Sequence, residues 1–274
     1  MELEAFFQQV KKLPVMPQIM QELLTSINDD SVDLHHLGRK LATDQSLGAN
    51  VLKMANSAAF RGVKQIDSIE AAAIRLGLKR VRSIVVAAGL NGMMPTKGFD
   101  QQQFWSQAMY VALLSQALAK CTEVDPDTAF TCGMLHNFGE LLIASATPEE
   151  AGLIELCLES GETRVSAQRQ TLGLDYAQIG GELAHRWNFS PLVTDAIEQQ
   201  LNPMDYDEVS QPAVLIRLAI FAHHALDAGL SAEMVCSNLP APLCELVGLN
   251  KDNATLFVEE ALEQAEDMVS ASVV

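Results

Sequence analysis

The chain is poor in positive charge. Eighteen lysines and arginines stand against 35 aspartates and glutamates, giving a formal net charge of −17 over 274 residues. Proteins that bind nucleic acid displace phosphate counterions with clustered cations. The densest basic cluster here is only Lys79, Arg80 and Arg82. No nucleic acid is expected as a partner, and an anionic membrane surface is disfavoured for the same reason. Cysteine is also scarce. Cys121, Cys132, Cys157, Cys236 and Cys244 are odd in number and scattered, and no two are spaced Cys-x-x-Cys. Several lie in apolar runs, where a reduced cysteine behaves as a small hydrophobe. No stretch approaches the roughly 18 apolar residues of a membrane span. The opening Met-Glu-Leu-Glu lacks the basic region of a secretory signal. A soluble, cytoplasmic protein is the expectation.

Other absences narrow the class further. Sustained period-two alternation is missing, which argues against strands. No segment of 20 to 50 residues recurs as a repeat would. Neither a glycine-rich phosphate loop nor a Gly-x-Ser-x-Gly elbow is present.

What remains is helix-forming material. Hydrophobic residues make up 49% of the chain and aromatics only 5%. Alanine, leucine, glutamine and glutamate are plentiful, and all favour helices except where packing overrides them. Leu47, Val51, Met54 and Ala55 fall at helical spacing behind Asp44 as N-cap. Val81, Ile84, Val85 and Ala88 mark another helix, and the run 92–98 is the best internal boundary. Phe104, Ala108, Val111, Ser115 and Leu118 define a long helix. Asp125-Pro126-Asp127 starts the next, which is expected to carry His136 and Asn137. Shorter helices are expected over 149–158 and 164–172. After the turn Gly173-Leu174-Asp175 comes a helix over 176–187, whose Gly180-Gly181 suggests close packing. Pro191 opens a helix ending at Gln199-Gln200, and two more cover 212–226 and 253–271.

One stretch carries chemical information: Gly133-Met134-Leu135-His136-Asn137-Phe138-Gly139-Glu140. A His-Asp pair offers a divalent cation one neutral nitrogen and one anionic oxygen. Here the aspartate has become the amide of Asn137, which brings a carbonyl oxygen and no charge.

In order along the chain, Leu13-Pro14-Val15-Met16-Pro17, Asp44-Gln45-Ser46-Leu47, Ala55-Asn56-Ser57-Ala58, Ser68-Ile69-Glu70-Ala71-Ala72 and Ile74-Arg75-Leu76-Gly77-Leu78 resemble the HDOD (HD-related output domain) family. Phe104-Trp105, the stretch 133–140 and Leu172-Gly173-Leu174-Asp175 continue the resemblance, which spans residues 13–205. It implies an all-α, multi-helical fold in two subdomains, the second related to HD metal-dependent phosphohydrolases. It also implies bacterial signal transduction, often without catalysis. The expected division is an N-terminal helical subdomain over 1–98, an HD-like one over 99–205, and C-terminal helices over 206–274 packed on the same domain.

Carried over residue by residue, the resemblance implies a degenerate site. Gln107 stands where a histidine would follow the Phe-Trp, and Asn137 follows His136. Tyr176 stands where related sequences often place a histidine. Gln199 and Gln200 replace a His-His pair, and Glu140 replaces a phosphate-meeting lysine. These seven positions are vestigial. No catalytic residue, metal ligand set or cofactor is expected. Missing first ligands and uncharged amides leave little to offset dehydration of an ion, and Glu140 would repel a phosphate.

His35-His36 and His223-His224 are adjacent pairs whose side chains point about 100° apart on a helix, so they are read as lying on a polar face. His185 is read as a surface or capping residue, and His136 as hydrogen-bonded in the core. Cys132 and His136 stand at i and i+4 and are read as two core-facing residues. Asn56 is the binding or signalling candidate of the first half, at a helix end. The preferred reading is a non-enzymatic signalling protein with a protein partner, contacted through residues 60–66 or the cleft between subdomains. The alternative is a metal-dependent phosphohydrolase with a displaced ligand set, using His136 with Asp175 or Asp195. A third reading is a sensor that uses the vacated pocket for a nucleotide second messenger; the acidic net charge and Glu140 argue against such a phosphate-rich ligand.

Overall fold

The structure, a computed structural model, describes residues 2–10, 52, 68, 71, 77–94 and 99–272. Asn56, His35-His36 and residues 60–66 lie outside the described residues. Every regular element among the described residues is helical, so the expected all-α class holds. In chain order the helices are α1 (Leu3–Gln9), α2 (Leu78–Met93), α3 (Gln101–Ala119), α4 (Pro126–Leu135), α5 (Phe138–Ala146), α6 (Pro148–Glu159) and α7 (Arg164–Leu172). They continue as α8 (Tyr176–Arg186), α9 (Pro191–Gln199), α10 (Gln211–Asp227), α11 (Ala232–Asn238), α12 (Ala241–Leu246) and α13 (Ala254–Ser272).

Local chemistry sets the ends of these helices. Asp125 accepts from the Thr128 amide and Pro126 occupies the first turn of α4, where its missing N–H costs nothing. Asp175 and Gln178 form a reciprocal capping box at the start of α8. Gly173 ends α7 with φ of 77°, a left-handed conformation that favours glycine.

The long helix α3 is central. Its stretch from Val111 to Ala119 is buried on every side, as expected of a helix surrounded by others. Helices α4, α10 and α13 all pack on it. The buried apolar residues form one cluster reaching from Phe6 to Ala265. Helix α2 packs on α4, where the Ser83 and Thr131 hydroxyls share a hydrogen bond of 2.6 Å. Arg80, from the sparse basic cluster, donates to Asp127 at 3.2 Å.

Three glycines bring α5, α8 and α9 together. A Cβ on Gly139 would collide with the Tyr176 carbonyl and the Gly180 backbone. Gly180 and Gly181 face Ile197 and Glu198 of α9, with a Cβ position 3.0 and 2.8 Å from the nearest side-chain atoms. The close packing expected of that pair is present. Among the described residues no helix is long and apolar enough to cross a membrane.

Candidate functional site

The His136-Asn137 pair lies between two helices, not within one. His136 is the C-terminal cap of α4, and Asn137 precedes the first turn of α5 with φ of −109° and ψ of 10°. The expectation of a single helix carrying both is corrected. The break redirects the chain so that Gly139 meets the start of α8.

The pair opens on a pocket of about 540 Å³. Five of the seven positions expected to be vestigial line it: Gln107, His136, Asn137, Glu140 and Tyr176. The glutamine pair splits. Gln200 is fully buried and donates to the His136 carbonyl at 2.6 Å and the Ile197 carbonyl at 2.8 Å. Its amide oxygen accepts from the Tyr176 hydroxyl at 3.4 Å. Gln199 bonds elsewhere: it donates to the Glu208 carbonyl and accepts from the Ser210 amide. It thereby ties α9 to the start of α10.

The electrostatics follow from burial. His136 donates through Nδ1 to the Gly133 carbonyl at 2.6 Å, so in the neutral ring Nδ1 carries the proton and Nε2 the lone pair. Burial holds its pKa down to about 4, against the help of that bond. The imidazole is neutral near pH 7. Glu140 goes the other way: burial pushes its carboxyl up to about 7 although Arg164 opposes the shift from 3.3 Å. It is therefore not a full negative charge at neutral pH. Burial also raises the Tyr176 hydroxyl pKa, with Glu140 adding to the effect. Cys132 is buried and its thiol is pushed up to about 12, so it is no thiolate beside His136.

Arginines line the pocket where none was expected. Arg164, Arg169 and Arg217 all contribute, together with His223 and His224 from α10. Arg164 is engaged by Glu140 and Glu155, and Arg169 by Asp175 at 2.8 Å. Arg217 makes no hydrogen bond or ion pair with any described residue, yet it lies near enough to Tyr176 to pull its hydroxyl pKa down. The adjacent histidines do not share a polar face. His224 is exposed, whereas His223 is 7% exposed and stacks on Tyr110 with ring centroids 5.1 Å apart. His185 is exposed, as expected.

Among the described residues, two buried polar atoms on this pocket's lining residues have no hydrogen-bond partner: Asn137 Oδ1 and His223 Nε2. The carboxylate closest to the latter, on Asp227, is 3.6 Å away. Leaving such an atom unmet costs about 1–3 kcal/mol, and few are found in native interiors.

The donor set does not fit the metal that the HD resemblance implies. Among the described residues no group of three or more His, Cys, Asp or Glu side chains is placed to hold an ion. Asp175 is consumed by its capping box and by Arg169. Asp195 is exposed and does not line the pocket. The displaced set of His136 with Asp175 or Asp195 is not assembled. Sequence reasoning missed the arginines and His223 because helices α7 and α10 reach the pocket only through tertiary packing. No local motif announces them.

Solved structures share this architecture. A candidate phosphohydrolase from Shewanella amazonensis SB2B is 31% identical, with 97% of each chain covered and a TM-score of 0.81. An HDOD domain protein of unknown function from Geobacter sulfurreducens is 21% identical, covering 98% of this chain and 95% of its own, with a TM-score of 0.82. A candidate signal transduction protein from Marinobacter aquaeolei VT8 is also 21% identical, covering 98% and 66%, with a TM-score of 0.78. An uncharacterized protein of Treponema pallidum (strain Nichols) is 27% identical over 267 residues, and the chain spans 50% of that relative's length. The HDOD domain model matches residues 13–203, and the chain belongs to the HDOD family.

Proposed function

We propose that this protein is a non-enzymatic regulatory member of its family, acting in signal transduction through a protein partner. One observation carries the reading: the pocket at the position of the expected metal site is lined by amides, arginines and three histidines, and among the described residues these histidines and Glu140 are not grouped closely enough to hold an ion. Metal-assisted hydrolysis needs a cation to lower the pKa of a water, and a cation needs anionic or several neutral donors close together. Among the described residues the only carboxylate lining the pocket is Glu140, which is buried against Arg164. Gln200, at a position where the resemblance implies histidine, holds the His136 and Ile197 carbonyls in place. The site is thus converted from a cage to a packed, hydrogen-bonded junction of α4, α5, α8 and α9.

The test is metal analysis of protein purified without chelator, followed by titration with manganese, iron and magnesium and assay of bis(p-nitrophenyl) phosphate hydrolysis. Metal well below one equivalent and no turnover above background are expected. Stoichiometric manganese or iron, with turnover that His136→Ala abolishes, would overturn the reading.

A further inference from the structure

We propose that the pocket is a receptor site for a small organic anion, whose phosphate or carboxylate oxygens are held by Arg217 and whose hydroxyl or amino group meets Asn137. The proposal rests on the non-catalytic reading of the same pocket and names what would occupy it. Four observations converge. First, Arg217 lines the pocket, as well as a neighbouring cavity, its charge is felt at Tyr176, and it has no acidic partner among the described residues. The two other arginines are already engaged in ion pairs with Glu140, Glu155 and Asp175. Arg217 therefore carries the uncompensated positive charge at this place in a strongly acidic chain. A planar guanidinium suits the paired oxygens of a phosphate or carboxylate.

Second, Asn137 Oδ1 and His223 Nε2 are buried and unpartnered, on residues 4% and 7% exposed. A ligand donor satisfies the Asn137 oxygen. His223 Nε2, in the tautomer that carries its proton there, donates to the same anion. Third, the cavity of about 540 Å³ lies within the roughly 300–1,000 Å³ typical of small-ligand pockets. A mononucleotide or a tricarboxylate is of suitable size. Fourth, apolar Val111, Val165, Leu201 and Ile220 line the remaining wall. This mixture of apolar wall and a few converging polar groups is characteristic of ligand sites.

Arg217 and His223 lie on α10, beyond the residues that the family model matches. The ligand would bridge α10 to the His136-Asn137 junction, and its arrival would couple the C-terminal helices to the HD-like part.

Isothermal titration of the full chain with adenosine 5′-monophosphate, with citrate and with adenosine, at matched ionic strength, tests this. Saturable one-to-one binding of the monophosphate or of citrate is expected, and no binding of adenosine. The monophosphate alone would identify a phosphate site, and citrate alone a carboxylate site. Arg217→Gln should weaken binding at least tenfold, Arg217→Lys should weaken it less than Arg217→Gln because the charge is kept and the paired donors are lost, and Asn137→Ala should weaken it severalfold. Circular dichroism melting confirms that each variant is folded. Saturation by neither anion, or equal binding by folded Arg217→Gln, would overturn the proposal while leaving the non-enzymatic reading intact. Binding followed by hydrolysis of the monophosphate would keep the site and overturn the non-enzymatic reading.

Discussion

At the scale of the residue, His136 and Glu140 pull the pH dependence of stability in opposite directions. The folded-state pKa of His136 is lowered to about 4 by burial, against an ordinary 6.5. The unfolded chain therefore binds more protons between those values. The stability it contributes is complete above pH 6.5 and is lost as pH falls towards 4, by about 3 kcal/mol. Glu140 is raised from 4.5 to about 7 by burial. Here the folded chain holds the proton more tightly, so stability is lost as pH rises from 4.5 to 7, by a similar amount of about 3 kcal/mol. In the native protein the two slopes largely cancel between pH 4.5 and 6.5. Glu140→Gln removes one of them. Urea unfolding of this variant should show stability rising through that window, where the parent is nearly flat. Parallel profiles for the two proteins would disprove the assignment. The His136 imidazole signals in NMR should shift with a midpoint near 4.

Residue identity alone made part of this site legible. Gln107, His136, Asn137, Glu140 and Tyr176 were expected together and do line one pocket. Gln199 and Gln200 are neighbours in sequence, but the end of α9 turns one towards α10 and the other into the core. Sequence offers no sign of which does which. The repulsion expected of Glu140 is blunted by Arg164, a partner 24 residues away that only the packing of α7 supplies.

At the scale of the element, glycines and amides define how tightly the helices around the pocket approach. Gly139→Ala would drive a methyl group into the Tyr176 carbonyl and the Gly180 backbone. Backbone cannot swing aside as a side-chain end does, so a loss of several kcal/mol, on the order of 3 or more, is expected. Gly152 is the internal control: it is exposed, lies inside α6 and would meet nothing within 4 Å. Gly152→Ala should stabilise by about 0.5–1 kcal/mol through helix propensity alone. Gln200→Ala leaves the His136 and Ile197 carbonyls without this donor and opens a void, for a loss of about 2–4 kcal/mol. Chemical denaturation of the three variants checks the order. The helices themselves were largely readable. Positions 104, 108, 111, 115 and 118, apolar except for Ser115, mark α3, and all are buried. The expected 164–172 helix matches α7. The break between α4 and α5 was only hinted at: Gly133, Asn137 and Gly139 are poor helix formers, but the sequence does not say at which of them the helix ends. The close approach of Gly139 to α8 accompanies the break.

At the scale of the whole molecule, the C-terminal residues share the core of the part that the family model matches. Helix α13 packs along α3 and buries Ala254, Val258, Ala261 and Ala265. Helix α10 packs on α3, α4 and α9 and supplies one wall of the pocket. This arrangement predicts that α13 and the pocket unfold together. Val258 is fully buried, so Val258→Asp places a carboxylate in the apolar seam between α13 and α3, at a cost of several kcal/mol, about 3 or more. Its effect should not stop at the seam. Trp187 stacks with Phe138 and Phe189 near the α5–α8 contact, with ring centroids 6.1 and 6.3 Å away. Once the second tryptophan, Trp105 of α3, is replaced by phenylalanine in both parent and variant, the fluorescence of Trp187 reports on the far side of the core. In Val258→Asp the fluorescence and circular-dichroism transitions should move to lower denaturant by the same amount and stay coincident. If the circular-dichroism transition splits and the fluorescence midpoint stays at the parental value, α13 is an appendage that melts alone. In that case a signal bound between α10 and the His136-Asn137 junction would have no route to the C-terminal helix.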